Sequence, residues 1–182
     1  MLSKKKLRRH FLLLRKKRYF SVGKTFFNPL TKLINVKKKK NISLYFPSNH
    51  EVNTIKLFQI LNSKSKLITS LPVISSNGKM KFVKWKLNDP LKVNIYGFLE
   101  PIEDKKALDP ELILVPLLAY DRFHNRLGYG KGYYDRFLEE YIERNKNILT
   151  IGIAFSFQKY KKIPVSKFDI KLDYILTEKG IF

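Results

Sequence analysis

A run of alternating glycines constrains the fold of this chain more than any other feature. Residues 126–138 read RLGYGKGYYDRFL, in which three glycines surround Lys131. The run lies between an apolar stretch at 112–118 and a helical pattern at 133–144. Glycines allow close backbone approach to an anion, and the N–H groups and dipole of a helix N-terminus favour negative charge. The segment therefore predicts an anion-binding loop between a buried strand and a helix.

The rest of the chain alternates between strand and helix patterns. Ser3 is a suitable N-cap for a basic helix that extends to about Phe20. A second helix is predicted at 52–61. Strands are predicted at 42–46, 67–74, 80–87, 94–99, 112–118, 149–155 and 173–176, with the fifth ending at Pro116 because proline cannot donate to the ladder. This alternation predicts an α/β fold, a three-layer α/β/α structure with a mostly parallel sheet, in a single domain over residues 1–182.

The composition restricts the compartment and the chemistry. The 182 residues include no cysteine, which excludes disulfides, thiolate catalysis and cysteine-ligated zinc. No apolar run approaches the roughly 18 residues that a membrane span requires, so no membrane partner is expected. The short apolar patch at 11–14 is followed by further Arg and Lys, unlike a secretory signal. We expect a cytoplasmic protein; an organelle transit peptide is the alternative interpretation of the acid-free N-terminus.

The formal net charge of +22 raises the alternative of a basic nucleic-acid-binding protein without catalysis. The first 50 residues contain 15 Lys and Arg and no acid. Because these cations are not regularly interleaved with aromatic residues, we favour a lysine-rich compositional bias and expect no specific nucleic-acid partner. In the first helix, Lys4, Arg8, Arg15 and Lys16 lie off the apolar stripe, and most are expected on a solvated face.

Two acidic residues allow two interpretations each. Asp135 follows Lys131 by four residues, so it could hold a divalent cation on the same phosphates or complement the dipole in the first turn of a helix. Glu51, just after the first strand, could likewise be a first-turn helix acid. The glycine spacing fits neither G-x-x-x-x-G-K-[ST] nor G-x-G-x-x-G, so the loop belongs to no generic nucleotide motif.

The segment PLLAYDRFHNRLGYGKGYYDRFL at 116–138 resembles the signature of the 5-formyltetrahydrofolate cyclo-ligase (methenyltetrahydrofolate synthetase) family. That signature has a proline, a small-apolar stretch, an aromatic-Asp pair and then R-L-G-x-G-x-G-Y-Y-D. KKKLR, ISLYFPSNHE and KFDIKLDYILTE extend the resemblance over nearly the whole chain. Leu117 and His124 depart from it, since each stands where glycine is common.

The resemblance implies a three-layer α/β fold and a small-molecule reaction. The implied activity is the cyclisation of 5-formyltetrahydrofolate to 5,10-methenyltetrahydrofolate, with ATP and Mg²⁺ as cofactors and release of ADP and phosphate. A phosphorylated formyl group is the implied intermediate. We also expect a monomer, and we hypothesise that the excess positive charge helps to hold a polyglutamylated folate. A homologue that binds nucleotide without turnover is a further alternative.

Matching the family's motifs position by position implies four groups of site residues. Lys131 and Arg126 are the implied catalytic partners of the γ-phosphate. The implied ATP contacts are Lys4, Arg8, Arg126, Leu127, Gly128, Tyr129, Gly130, Lys131, Gly132, Tyr133 and Tyr134. The implied folate contacts are Phe46, Glu51, Tyr129 and Tyr133. Asp135 and Asp169 are the implied magnesium ligands.

Overall fold

The structure is a computed structural model that describes residues 2–64, 66–102 and 106–182. Its helices within these ranges are α1 (Lys4–Arg18), α2 (Asn28–Val36), α3 (Ile55–Asn62) and α4 (Tyr133–Arg144), with short 3-10 helices at Lys24–Phe27 and Ser156–Gln158. The strands are β1 (Asn41–Ser43), β2 (Ile68–Ile74), β3 (Met80–Lys84), β4 (Leu91–Val93), β5 (Leu99–Pro101), β6 (Leu112–Pro116), β7 (Ala119–Tyr120), β8 (Arg126–Leu127), β9 (Leu149–Ile153), β10 (Tyr174–Thr177) and β11 (Gly180–Ile181).

A mostly parallel sheet forms the centre of the molecule. Its strand order is β11-β10-β9-β6-β1-β2-β3. The inner pairs, from β10-β9 to β1-β2, are parallel, and the antiparallel strands β11 and β3 close the two ends. The chain leaves β1 toward β2 and later returns to β6 on the other side of β1. In open α/β sheets such a reversal marks the crevice where ligands bind.

Helices cover both faces of the sheet because the central strands are apolar on both sides. Leu112 and Leu114 of β6 pack in one core with α2 and α3, whereas Ile113 and Val115 pack in another with Leu138 of α4. This alternation follows from the two-residue period of a strand. The result is the predicted three-layer α/β/α arrangement.

Helix α1 packs at the edge of these layers, against a separate two-stranded ribbon. The Ser3 side chain accepts a hydrogen bond from the Lys6 N–H, as expected of an N-cap. Leu7 and Phe11 are buried with residues of the β7–β8 ribbon. The helix sequence KKKLRRHFLLLRKKR makes α1 the basic N-terminal helix that the sequence predicts.

Most element predictions are confirmed, and three of the differences bear on the site. Helix α4 has the predicted bounds, and β6 ends at Pro116 as predicted. The strand predicted at 94–99 is wrong: Gly97 has φ +78° and lies in the turn between β4 and β5. The sequence pattern did not predict α2. The glycine loop follows β8 of the ribbon, so it does not directly continue the buried strand.

The family-atypical Leu117 packs where a glycine leaves room. A Cβ on Gly152 would lie 2.6 Å from Leu117 Cδ2 and 2.8 Å from side-chain atoms of Ile175 and Leu172. Side chains therefore pack closely against the Gly152 backbone. His124, the second departure, has φ +61°, a left-handed conformation that glycine adopts more readily.

No helix in the described part of the chain is long and apolar enough to cross a membrane.

Candidate functional site

A cavity of about 640 Å³ opens at the carboxyl ends of the central parallel strands. Tyr45 and Phe46 follow β1, and Ile74 and Pro116 end β2 and β6. The volume falls within the roughly 300–1,000 Å³ of small-molecule sites. The cavity thus lies at the reversal of strand order, where the fold favours a ligand site.

The glycine loop forms one wall of the cavity and is pressed against α1. Gly130 has φ +100°, and a Cβ there would lie 3.0 Å from the Arg8 guanidinium carbon. Arg8 Nε also donates a hydrogen bond to the Gly128 carbonyl at 2.9 Å. Gly132, at φ +70°, immediately precedes α4. These contacts explain why the loop requires glycine and place the Arg8 guanidinium directly on the loop backbone.

Two partly exposed carboxylates lie at the end of the cavity near the start of α1. Asp135 Oδ1 accepts a hydrogen bond from Arg126 Nη2 at 2.7 Å. Asp169 forms an ion pair with Lys4 and accepts the Ser166 hydroxyl at 2.9 Å. Although burial opposes the effect, the hydrogen bonds from Lys4 and Ser166 lower the pKa of Asp169. We call Lys4, Asp135 and Asp169 the exposed ion-pair cluster; the partner of Asp135, Arg126, is itself only 4% exposed.

The chemistry of this cluster fits a magnesium ion that is also held by phosphate. The Asp135 and Asp169 side chains are 26% and 22% exposed, so their oxygens are accessible to a ligand. Within the described residues, no three His, Cys, Asp or Glu side chains converge into a complete cation cage. Mg²⁺ usually takes one or two carboxylates, with waters and substrate phosphates completing its coordination. Two carboxylates beside an anion-binding loop provide such a donor set.

A second charged group at the cavity is buried. The Arg15 and Glu51 side chains are only 1% and 6% exposed, with Arg15 Nη1 3.9 Å from Glu51 Oε1. The Tyr129 hydroxyl donates a hydrogen bond to the same Glu51 oxygen and accepts one from Arg15 Nη2 at 2.6 Å. Burial raises the pKa of Glu51, while Arg15 and the hydrogen bonds oppose that rise. We call Arg15, Tyr129 and Glu51 the buried triad.

The β4–β5 hairpin completes the cavity with aromatic side chains. The Tyr96 and Tyr133 hydroxyls lie 2.6 Å apart, and the Lys131 ammonium lies 4.8 Å from the centre of the Tyr96 ring. Glu100 is buried and accepts hydrogen bonds from the Ile74 N–H and from Asn94, which attaches the hairpin to the sheet. The hairpin therefore brings aromatic surface to the loop lysine.

The structure places every residue of the implied site around this one cavity. These are Lys4, Arg8, Phe46, Glu51, Arg126, Leu127, Gly128, Tyr129, Gly130, Lys131, Gly132, Tyr133, Tyr134, Asp135 and Asp169. Their roles remain predictions, because proximity alone assigns no chemistry. Glu51 precedes α3 and lies in a turn, where Oε2 accepts the Ser48 N–H at 2.9 Å, so the first-turn interpretation is wrong.

Sequence reasoning missed two parts of the site. Arg15 was among the cations expected mostly on a solvated face, but it is buried because it faces Glu51 and Tyr129. Its spacing of seven from Arg8 places it on the same helix face and was the available signal. Tyr96 and Phe98 were assigned to a strand, and the turn residue Gly97 between them was the signal for a hairpin tip.

An α/β fold with a large cavity at the carboxyl ends of parallel strands, a glycine loop and clustered carboxylates is typical of enzymes that bind small molecules. Comparison with known sequences identifies the family. The sequence model of the 5-formyltetrahydrofolate cyclo-ligase family matches residues 2–178. The chain is 33% identical over 151 residues to the 5-formyltetrahydrofolate cyclo-ligase of Haemophilus influenzae, covering 80% of this chain and 79% of that protein. For the Mycoplasma genitalium enzyme of that name the identity is 32%, covering 75% and 72%.

Solved structures agree with the sequence comparison. The NMR structure of Aquifex aeolicus 5,10-methenyltetrahydrofolate synthetase superposes with a TM-score of 0.74 at 28% identity, covering 99% of this chain and 92% of that one. A 5,10-methenyltetrahydrofolate synthetase from Mycoplasma pneumoniae gives 0.71 at 25% identity, covering 96% and 98%. The chain therefore belongs to the 5-formyltetrahydrofolate cyclo-ligase family. It is an enzyme of folate one-carbon metabolism.

Proposed function

We propose that this enzyme couples ATP to the cyclisation of 5-formyltetrahydrofolate, with Mg²⁺ as cofactor. The formyl oxygen would take the γ-phosphoryl group and ADP would leave. The neighbouring folate nitrogen would then attack the formyl carbon and lose its proton, and the C–O bond would break to release phosphate. The product is 5,10-methenyltetrahydrofolate. Phosphorylation thus converts a poor leaving group into a good one.

This proposal rests on one observation: a single cavity is lined both by groups that suit a metal-bound phosphate and by a buried acceptor that suits the folate. The glycine loop and the exposed ion-pair cluster offer N–H groups, cations and carboxylates, which suit a metal-bound polyphosphate. Glu51, which contacts Tyr129 of the same loop, would offer a buried acceptor to the N–H groups of the pterin ring. Catalysis by such a site consists mainly of positioning two reactants and stabilising charge.

We assign the residues of the glycine loop and α1 to the nucleotide. Lys4 and Arg8 of α1 and the loop backbone would contact ATP, and Lys131 would neutralise charge on the transferred phosphoryl group. Arg126 would share that role, and its hydrogen bonds to Asp135 and to the Ile170 carbonyl at 2.9 Å hold it at the cavity wall. Asp135 and Asp169 would hold Mg²⁺, which supplies charge neutralisation to the phosphates.

We assign the aromatic side chains of the cavity and Glu51 to the folate. Phe46 and Glu51 follow β1, and Tyr129 and Tyr133 extend from the glycine loop into the same cavity. An aromatic wall would pack against the flat pterin, while Glu51 would fix its orientation. The hypothesis of a polyglutamylated substrate is kept, and equal turnover of mono- and polyglutamate forms would contradict it.

The direct test is the absorbance of methenyltetrahydrofolate after mixing the protein with 5-formyltetrahydrofolate, ATP and Mg²⁺. We expect a rise that requires all three. Its absence in folded protein would overturn the proposal. A steep loss of nucleic-acid binding with salt in that inactive protein would favour the alternative basic-protein function.

Replacing Lys131 tests the catalytic assignment within the loop. We expect Lys131→Ala to lower kcat about 10²-fold, as loss of a single charge-stabilising group commonly does. Lys146→Ala, on the exposed turn after α4, is the matched control and should leave turnover unchanged. Equal kcat values for the Lys131 variant and the control would remove Lys131 from the reaction.

A further inference from the structure

One buried cation near the cavity has no role in the chemistry described above. Arg15 is 1% exposed and lies on the face of α1 that also carries Lys4 and Arg8. Lys4 contacts Asp169 and Arg8 contacts the glycine loop, whereas Arg15 contacts Glu51 and Tyr129. At 1.5 Å per residue, the helix carries its cationic face about 16 Å from Lys4 to Arg15. One helix thus contacts both charged ends of the cavity.

The contacts of Arg15 are directed at the carboxylate of Glu51. Its Nη1 lies 3.9 Å from Glu51 Oε1 and donates to the Leu117 carbonyl at 3.3 Å. Its Nη2 donates to the Tyr129 hydroxyl, which in turn donates to Glu51 Oε1. The other Glu51 oxygen accepts the Ser48 N–H at 2.9 Å. The carboxylate is therefore held at both oxygens by two hydrogen-bond donors, with the Arg15 charge beside one of them.

Packing alone does not account for a buried arginine here. Taking an ion pair out of water costs about as much as its mutual attraction returns, so an apolar pair of similar size would serve the core equally well. The Nε of Arg15 is buried and has no hydrogen-bond partner among the residues that the structure describes, which adds to that cost. Glu51 lines the cavity, so the Arg15–Glu51 pair joins a side chain in the core to one at the cavity surface.

We propose that Arg15 is a positioning residue that keeps the Glu51 carboxylate ionised and aimed into the cavity, partly through the Tyr129 hydroxyl. This inference rests on the proposed function insofar as Glu51 accepts the N–H groups of the folate. Glu51 accepts hydrogen bonds with both oxygens only while it is charged, because protonation turns one oxygen into a donor, and its buried surroundings favour the neutral acid. The charge of Arg15 opposes that tendency without contacting the substrate.

The test compares Arg15→Met with Arg15→Lys and with Arg9→Met, an exposed arginine on the same helix. The first readout is the carboxyl 13C titration of Glu51 in the free protein. Tyr45, Tyr129 and Tyr134 interact electrostatically with Glu51, and burial raises their pKa values, so these three groups stay neutral throughout the titration. We expect Arg15→Met to move the titration midpoint of Glu51 to higher pH. Arg15→Lys should keep the midpoint close to its wild-type value, and Arg9→Met should leave it unchanged.

The second readout is the dissociation constant of 5-formyltetrahydrofolate without nucleotide, measured from pH 5 to 8. We expect Arg15→Met to weaken folate binding about tenfold at pH 7 and to leave ATP affinity unchanged. The tenfold change is the size expected when the hydrogen bond from the folate N–H groups loses its charged acceptor, Glu51. The pH below which binding weakens should rise with the Glu51 midpoint. A conservative Tyr129→Phe variant should show a smaller change in the same direction.

The outcomes separate this inference from the proposed function. An unmoved Glu51 midpoint in Arg15→Met, or equal weakening of folate and ATP, would overturn the positioning role. A Glu51 midpoint that moves in Arg15→Met, together with a wild-type protein that binds no folate, would keep the positioning role and overturn the proposed substrate. If Arg15→Met does not fold, the neutral Arg15→Gln variant and Tyr129→Phe carry the same two readouts, and wild-type values in both variants would overturn the inference.

Discussion

The buried triad and the exposed ion-pair cluster are two charged groups around one cavity, and they differ mainly in their access to water. Arg15 and Glu51 have side chains that are 1% and 6% exposed, whereas Lys4 and Asp169 have side chains that are 27% and 22% exposed. Both pairs join α1 to a loop at the cavity. The difference in burial changes what each carboxylate can do.

A partly exposed carboxylate can exchange its partner at a small cost in free energy. In the exposed ion-pair cluster, water screens the charges, so Lys4 can move to a phosphate and Asp169 to a metal ion at little cost. In the buried triad, neither partner can be released without leaving a bare charge in the core. The exposed ion-pair cluster therefore suits ligands that bind and dissociate in each reaction cycle, whereas the buried triad suits the recognition of one chemical group at a fixed position.

The largest difference should appear in stability when each ion pair loses its cation. Arg15→Met leaves the Glu51 carboxylate buried without a counter-charge, and we expect a loss of about 3 kcal/mol in the free energy of unfolding. Lys4→Met, the matched control, removes the partner of an accessible carboxylate and should cost less than about 1 kcal/mol. Urea denaturation at pH 7 measures both. Equal losses would contradict the distinction between the two groups.

The second prediction concerns turnover and distinguishes the groups by metal dependence. Asp135→Asn removes a proposed Mg²⁺ ligand, so we expect turnover to fall about 10²-fold or more with the fold retained. Added Mg²⁺ should recover part of the activity. Glu140→Gln, an exposed carboxylate on the same helix, is the control and should show neither effect. Wild-type turnover in the Asp135 variant would exclude that residue from the metal site.

The sequence predicted the exposed cluster better than the buried triad, for a physical reason. Loop position and charge type indicated Asp135 because a glycine loop and a helix start are local patterns. The partner of Glu51, by contrast, depends on how α1 packs against residues more than 100 positions away. Arg15 is one of nine basic residues in α1, and only the tertiary contact distinguishes it from the solvated ones.

The fold shows the same division between local and long-range information. The bounds of α4 follow from its 3.6-residue pattern after Gly132, and β6 ends where Pro116 removes a donor. The β4–β5 hairpin was taken for a strand because its apolar residues mask a turn at Gly97. Its role depends on Glu100, which attaches the hairpin to the distant β2.

The third prediction tests the loop that lies between the two groups. Gly130→Ala forces an L-residue to φ +100° and places a Cβ against Arg8, so we expect a loss of about 1–2 kcal/mol in unfolding free energy. Gly128→Ala is the control, since its Cβ would meet nothing within 4 Å and its φ is ordinary. Chemical denaturation of the two variants measures the difference. Equal stability would show that Arg8 and the loop adjust freely.

The smallest effect is the opposite pH dependence of the two carboxylates. The pKa of Asp169 lies below its usual 3.8 in the folded protein, so its stabilisation is present above that value and is lost as the pH falls through the folded pKa. The pKa of Glu51 lies above its usual 4.5, so its contribution is present below 4.5 and is lost as the pH rises through the folded pKa. Asp169→Asn should therefore flatten the stability curve below about pH 4, and Glu51→Gln should flatten it above about pH 4.5. Unfolding midpoints from pH 2 to 8 measure both, and changes of the same sign would show that burial does not separate the two groups.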